Sequence, residues 1–148
     1  MKKYIVEVSD CYTKWKNEKN ELHREDGPAI EYANGDRYYY INDKLHREDG
    51  PAVDYSNGYY KAYYINGNRH NENGPAVERA TGYKEYWING KRHREDGPAV
   101  ESATGYKEYW INYNQLTKEQ FENRTKTKEL TVADIEKLIG HKVKIIKG

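Results

Sequence analysis

Aliphatic residues are scarce in this 148-residue chain. Ile, Leu, Val and Phe number 23, about 16% of the total, under the roughly 20% at which composition begins to suggest disorder. A thick aliphatic core is therefore excluded. Net charge is lacking too: 25 basic and 24 acidic residues leave +1, too weak a field for a general binder of nucleic acid or anionic membrane. Long apolar runs are missing. The apolar-rich stretch Tyr4 to Val8 is far shorter than a signal-peptide core or the about 18 residues of a membrane span, so the expectation is a soluble, cytoplasmic protein. A single cysteine, Cys11, cannot form an internal disulfide and has no zinc-type partner spacing. GxSxG, P-loop and GxGxxG motifs are all absent. No enzyme chemistry has a foothold, and no cofactor or metal is expected.

What the chain does have is tyrosine: 16 of them, with three Trp, at a mean hydropathy of −1.22. Disorder requires high net charge and few aromatics, and neither holds. The composition points to a thin structure, a sheet or solenoid, that buries surface through rings.

A repeat organises those rings. His23 opens HREDGPAIEYANGDRYYYINDKL, His46 opens HREDGPAVDYSNGYYKAYYINGNR, His70 opens HNENGPAVERATGYKEYWINGKR, and His93 opens HREDGPAVESATGYKEYWINYNQ. The four units, of 23, 24, 23 and 23 residues, cover residues 23–115. Residues 1–22 read as an N-terminal capping hairpin and 116–148 as a C-terminal cap. Within a unit, an alternating run such as Pro98 to Glu101 meets a turn, then an aromatic run such as Tyr106 to Ile111, the signature of a hairpin. Asn34-Gly35 and Asn57-Gly58 predict two-residue type I′ turns. The fold class expected is mainly β: an elongated antiparallel hairpin-repeat sheet with a small α/β cap.

Equivalent positions of such units form rows. Ile30, Val53, Val77, Val100 and Ile41, Ile65, Ile88, Ile111 are the predicted core. Tyr40, Tyr64, Trp87 and Trp110 make an aromatic row suited to stacking on a ligand or anchoring a protein interface. Arg37, Lys61, Lys84 and Lys107 make a basic row beside an acidic one (Glu31, Asp54, Glu78, Glu101), so a cross-strand-paired surface is the favoured reading over a phosphate track. The loop residues His23, His46, His70, His93 and Gly27, Gly50, Gly74, Gly97 bring acid–base side chains together. A catalytic set is needed once, however, and this loop recurs four times, with Asn71 and Asn73 replacing Arg and Asp in the third copy. A structural loop is the expectation, with glycine adopting a backbone angle other residues resist and Arg pairing with a carboxylate. The imidazoles recur at about 10 Å if each unit adds two strands, too far apart to share one metal ion.

The tail follows other rules. Thr117 with Gln120 predicts a capping box for a short helix, Thr131 with Asp134 a second helix ending at Gly140, and Lys142 to Lys147 a last strand. From Leu116 onward the charge is +3, against −2 for the rest.

The segments YYINGNRH and YWINGKRHREDGPAV resemble MORN-like hairpin repeats, in a variant found in small proteins of bacteriophages and large viruses, and the tail is similar to the C-terminal module that follows such repeats in phage proteins. The resemblance spans nearly the whole chain. It implies a phage origin and a non-enzymatic binding role in the host bacterial cytoplasm, with no functional residues to transfer. The expected function is an accessory protein that binds and inhibits a host protein through its repeat sheet, an anti-defence role such as an anti-CRISPR inhibitor. A glycan- or nucleic-acid-binding module using the aromatic and basic rows is the alternative. Open sheet edges make a homodimer reasonable.

Overall fold

A computed structural model describes residues 3–124 and 132–142. The chain opens with the hairpin β1 (Ile5–Val8) and β2 (Tyr12–Lys16). The first repeat follows as β3 (Ile30–Tyr32), β4 (Arg37–Tyr38), β5 (Tyr40–Ile41) and β6 (Lys44–Leu45). The second contributes β7 (Val53–Asp54), β8 (Tyr60–Ala62), β9 (Tyr64–Ile65) and β10 (Asn68–Arg69); the third β11 (Val77–Arg79), β12 (Lys84–Glu85), β13 (Trp87–Ile88) and β14 (Lys91–Arg92). The fourth holds β15 (Val100–Glu101), β16 (Lys107–Ile111) and β17 (Asn114–Leu116), before α1 (Lys118–Asn123) and α2 (Val132–Ile139).

Eleven strands form one antiparallel meander in the order β1-β2-β3-β4-β7-β8-β11-β12-β15-β16-β17. The fold is thus mainly β, as the repeat predicts. Each unit also carries a third strand at its end, which in the first three lies just before the His of the next unit. The second strand breaks at Tyr39, Tyr63 and Tyr86, and its far half leaves the main sheet to pair with that third strand, giving the ribbons β5/β6, β9/β10 and β13/β14. In the fourth unit β16 runs unbroken through both halves.

The turns are assigned the other way round from the sequence expectation. The first hairpin of each unit closes through bonds such as Gly35 N–H to the Tyr32 carbonyl and Tyr32 N–H to Asp36, with positive φ at the glycine but not at Asn34. That is a three-residue loop, a type I turn plus bulge, in the first, third and fourth units; in the second the closing bond runs from Tyr55 N–H to the Tyr60 carbonyl and encloses four residues, which takes up the extra residue of that unit. Positive φ at both central residues, the type I′ requirement, occurs instead in the ribbon turns Asn42-Asp43, Asn66-Gly67, Asn89-Gly90 and Asn112-Tyr113.

The core is a single thin row. Ile30, Val53, Val77 and Val100 are buried, and so are Ala29, Ala52, Ala76 and Ala99 of each Gly-Pro-Ala motif, all four at 0% exposure. The Ile41 row is only half-buried, because a two-stranded ribbon cannot cover both of its faces. Thr117 and Gln120 form the expected capping box of α1, and Phe121 packs on Tyr109 with ring centroids 4.7 Å apart. Gly140, with φ of 68°, ends α2. The Thr131–Asp134 cap and the strand expected from Lys142 to Lys147 lie outside the described residues.

Candidate functional site

The histidine loops act as joints between neighbouring units. Arg24 places its guanidinium over the Trp15 ring at 4.1 Å, Arg47 over Tyr39 at 4.0 Å and Arg94 over Tyr86 at 3.9 Å, each on the ring of the unit before. The same side chains donate to the carboxylates of Asp26, Asp49 and Asp96 at 2.8–2.9 Å and to the carbonyls of Pro28, Pro51 and Pro98. The guanidinium of Arg47 holds Asp49 below the usual carboxylate range, and Arg94 does the same to Asp96. In the third loop Asn71 keeps the contact to the Pro75 carbonyl at 2.9 Å and accepts from the Asn73 backbone N–H. The paired loss of Arg and Asp is therefore self-consistent.

Gly27, Gly50, Gly74 and Gly97 correct the expectation of an unusual backbone angle, since none has positive φ. A Cβ there would meet the Arg24, Arg47 or Arg94 guanidinium carbon at 2.9, 3.0 or 3.1 Å, whereas at Gly74 it would meet Asn71 at 3.7 Å. Glycine is needed so that the arginine can fold back.

Each imidazole ties the loop that opens its unit to the ribbon turn that closes the same unit. Nδ1 of His23, His46, His70 and His93 accepts the backbone N–H of Asn42, Asn66, Asn89 and Asn112 at 3.1–3.2 Å. Accepting there places the ring proton on Nε2, which lies 3.5–3.8 Å from Glu25, Glu48, Glu72 and Glu95. Next to this bond, the N–H of Asp43, Gly67, Gly90 and Tyr113 donates to the carbonyl of Leu22, Leu45, Arg69 and Arg92 of the preceding ribbon. Among the described residues no three His, Cys, Asp or Glu side chains gather as a metal site.

The predicted aromatic row is half-buried throughout: Tyr40, Tyr64, Trp87 and Trp110. Both indoles are internally bonded. Glu85, 7% exposed, accepts from Trp87 Nε1 at 2.7 Å, from the Tyr83 hydroxyl at 2.6 Å and from Arg69 at 3.2 Å. Glu108 accepts from Trp110 Nε1 at 2.7 Å, from Arg92 at 3.2 Å and from the Tyr106 hydroxyl. The Tyr106 hydroxyl, Trp110 and Arg92 lower the Glu108 pKa, while burial and Glu85 push Tyr83 up to about 12. These clamps are absent from the sequence reading, although Tyr-x-Glu-x-Trp recurs in only the last two units and could have signalled them. The rings left open among the described residues are others: Tyr32, Tyr59, Tyr106 and Tyr113, 37%, 47%, 53% and 62% exposed.

The basic row alternates strictly with acid. Pairing runs Glu31–Arg37–Asp54–Lys61–Glu78–Lys84–Glu101–Lys107 across one face of the sheet. Every cation has acidic neighbours, so the row offers no continuous positive track. On the loop side, open grooves lie between successive loops. One is lined by Tyr39 and Ile41 with Glu48 and Asp49 on its rim; another by Tyr86 and Ile88 with Glu72, Glu95 and Asp96. The rim carboxylates of Glu48, Asp49, Glu72, Glu95 and Asp96 are 75–85% exposed.

Comparison with family models, with curated proteins and with solved structures found no match to this chain. In shape, the hairpin meander is consistent with MORN-like repeats. No described helix is long and apolar enough to cross a membrane.

Proposed function

We propose that this chain is a non-enzymatic binding protein that engages a partner protein through its repeat sheet. The observation that carries the reading is the loop side: grooves with Tyr and Ile floors, repeated in register and rimmed by exposed carboxylates. Such a surface is broad and shallow, fitting a macromolecule better than a small substrate. Its charge favours a protein with a basic patch. The alternating charge row argues against the alternative of a nucleic-acid partner, which needs phosphates neutralised in sequence.

The finer form of the proposal takes its support from the resemblance of the repeats to phage proteins: an accessory protein that inhibits a host defence protein, such as a CRISPR effector. Capture from bacterial lysate, wild type against Glu48→Lys/Glu72→Lys/Glu95→Lys, tests the coarse reading. A protein retained by the wild type and lost by the variant supports it; an identical set of captured proteins refutes it. Tight, steeply salt-dependent binding to single-stranded DNA or RNA would move the assignment to the alternative. For the finer form, cells with an active CRISPR effector should regain phage sensitivity when they express the chain.

A further inference from the structure

The two ends of the sheet are finished differently. At one end α1 covers the last strands, with Phe121 8% exposed on Tyr109 and Arg124 over its ring at 3.7 Å. At the other end β1 is the outermost strand in the sheet order. It shows Ile5 and Val6 at 49% and Val8 at 73% exposure, three of the eight large apolar side chains exposed among the described residues. The devices that keep edge strands apart are proline, bulges and outward charge. Proline is absent from residues 3–8, and the pairing with β2 is continuous from Ile5–Lys16 to Val8–Thr13. The one charge within β1, Glu7, is held by its own sheet through the Tyr12 hydroxyl at 2.6 Å and Lys16 at 3.0 Å.

We infer that β1 pairs antiparallel with β1 of a second copy, joining two sheets across a two-fold axis normal to the sheet. The occupant is a second copy because the edge complements itself. A two-fold in this direction keeps each face continuous, so facing residues must have the same parity and the axis must pass through a residue. An axis at Glu7 opposes two carboxylates. At Val6 it sets Ile5 against the second copy's Glu7. At Ile5 it sets Ile5 against Ile5, Tyr4 against Val6 and Lys3 against Glu7, so apolar meets apolar and cation meets anion. The Ile5 register is the one assigned. A contact of one short strand falls below the ~1,200 Å² of a standard stable interface, so the dimer dissociates on dilution.

Sedimentation velocity of the full chain over a wide concentration range should show a reversible monomer–dimer equilibrium. Ile5→Lys places two cations on the axis and should weaken association by about tenfold or more, the equivalent of ~1.4 kcal/mol. Lys3→Glu, far from any core contact, should weaken it as well, which separates loss of pairing from loss of folding. In a Cys11→Ser background, Ile5→Cys should oxidise to a disulfide-linked dimer and Val8→Cys should not. A wild type that stays monomeric at every concentration overturns the inference. So does a dimer that survives Ile5→Lys with unchanged affinity, and so does cross-linking through Val8→Cys in preference to Ile5→Cys. None of these outcomes depends on the partner protein proposed above.

Discussion

The first two repeats and the last two share a backbone but hold it together by different chemistry. In the N-terminal half, Tyr12, Tyr32, Tyr38, Tyr55 and Tyr60 form a ladder of rings with successive centroids 5.3–6.3 Å apart. Leu45 and Tyr64 pack with it on Val53, Ala62 and Val77. In the C-terminal half the corresponding surface carries the Glu85 and Glu108 clamps, fed by Arg69 and Arg92. The change is made at paired positions. Where the ribbon ends in Leu22 or Leu45, the next unit offers Tyr38 or Ala62; where it ends in Arg69 or Arg92, the next offers Glu85 or Glu108. The lesson is that a repeat joint tolerates either an apolar or an ionic pair, provided both members change together.

Breaking one member is the severest test. Glu85→Ala strands Arg69, the Trp87 N–H and the Tyr83 hydroxyl, and should cost about 2–4 kcal/mol, measured by urea denaturation. Importing the wrong member is next: Tyr38→Glu places a carboxylate where the preceding repeat position holds Leu22 instead of an arginine, and should lose about 2–3 kcal/mol; equal stability would show that the halves are interchangeable. In the second loop, Arg47→Ala removes the Tyr39 stack and the Asp49 and Pro51 contacts, with an expected loss of about 1–2 kcal/mol. The double change Arg47→Asn with Asp49→Asn, copying the third loop, should recover part of it. Tyr113→Gly should stabilise by about 0.5–1 kcal/mol, because Tyr113 occupies a φ of 73° where the second and third repeats place glycine. A fall in the melting temperature would mean its ring, 6.0 Å from Trp110, outweighs the strain. Acid should act gently and locally. The Glu108 pKa is lowered from its ordinary 4.5, so its contribution is complete above that value and is lost as pH falls through the depressed one. Single-Trp variants should show Trp110 fluorescence changing in that acid window while Trp15, stacked on Arg24, stays constant.

The hairpin meander was legible because its period is written in whole motifs, and the Val and Ile of each Gly-Pro-Ala strand were identifiable as core from their spacing. The ribbons were not. Two-residue strands leave no alternation to detect, and the break at Tyr39, Tyr63 and Tyr86 looks like one uninterrupted aromatic run. The turn assignment failed for a related reason: Asn-Gly suits both a type I′ turn and a type I turn with a bulge, and only strand pairing separates them. As for the site, the loop's structural use of Arg with Asp was readable from repetition. The Glu–Trp clamps were signalled only by the Tyr-x-Glu-x-Trp string of the last two units, and that string does not name the arginine one ribbon earlier that each glutamate takes as its partner.

The matched joints also make the chain modular in a selective way. Excision of residues 70–92 would bring Arg69 against Glu108, an ionic pair of the same kind as the one lost, and a shorter protein should still fold. Excision of residues 46–69 would instead bring Leu45 against Glu85. The array can therefore shrink or lengthen by duplication within a chemical block but not across its boundary, and units of nearly identical length and backbone are not equivalent parts.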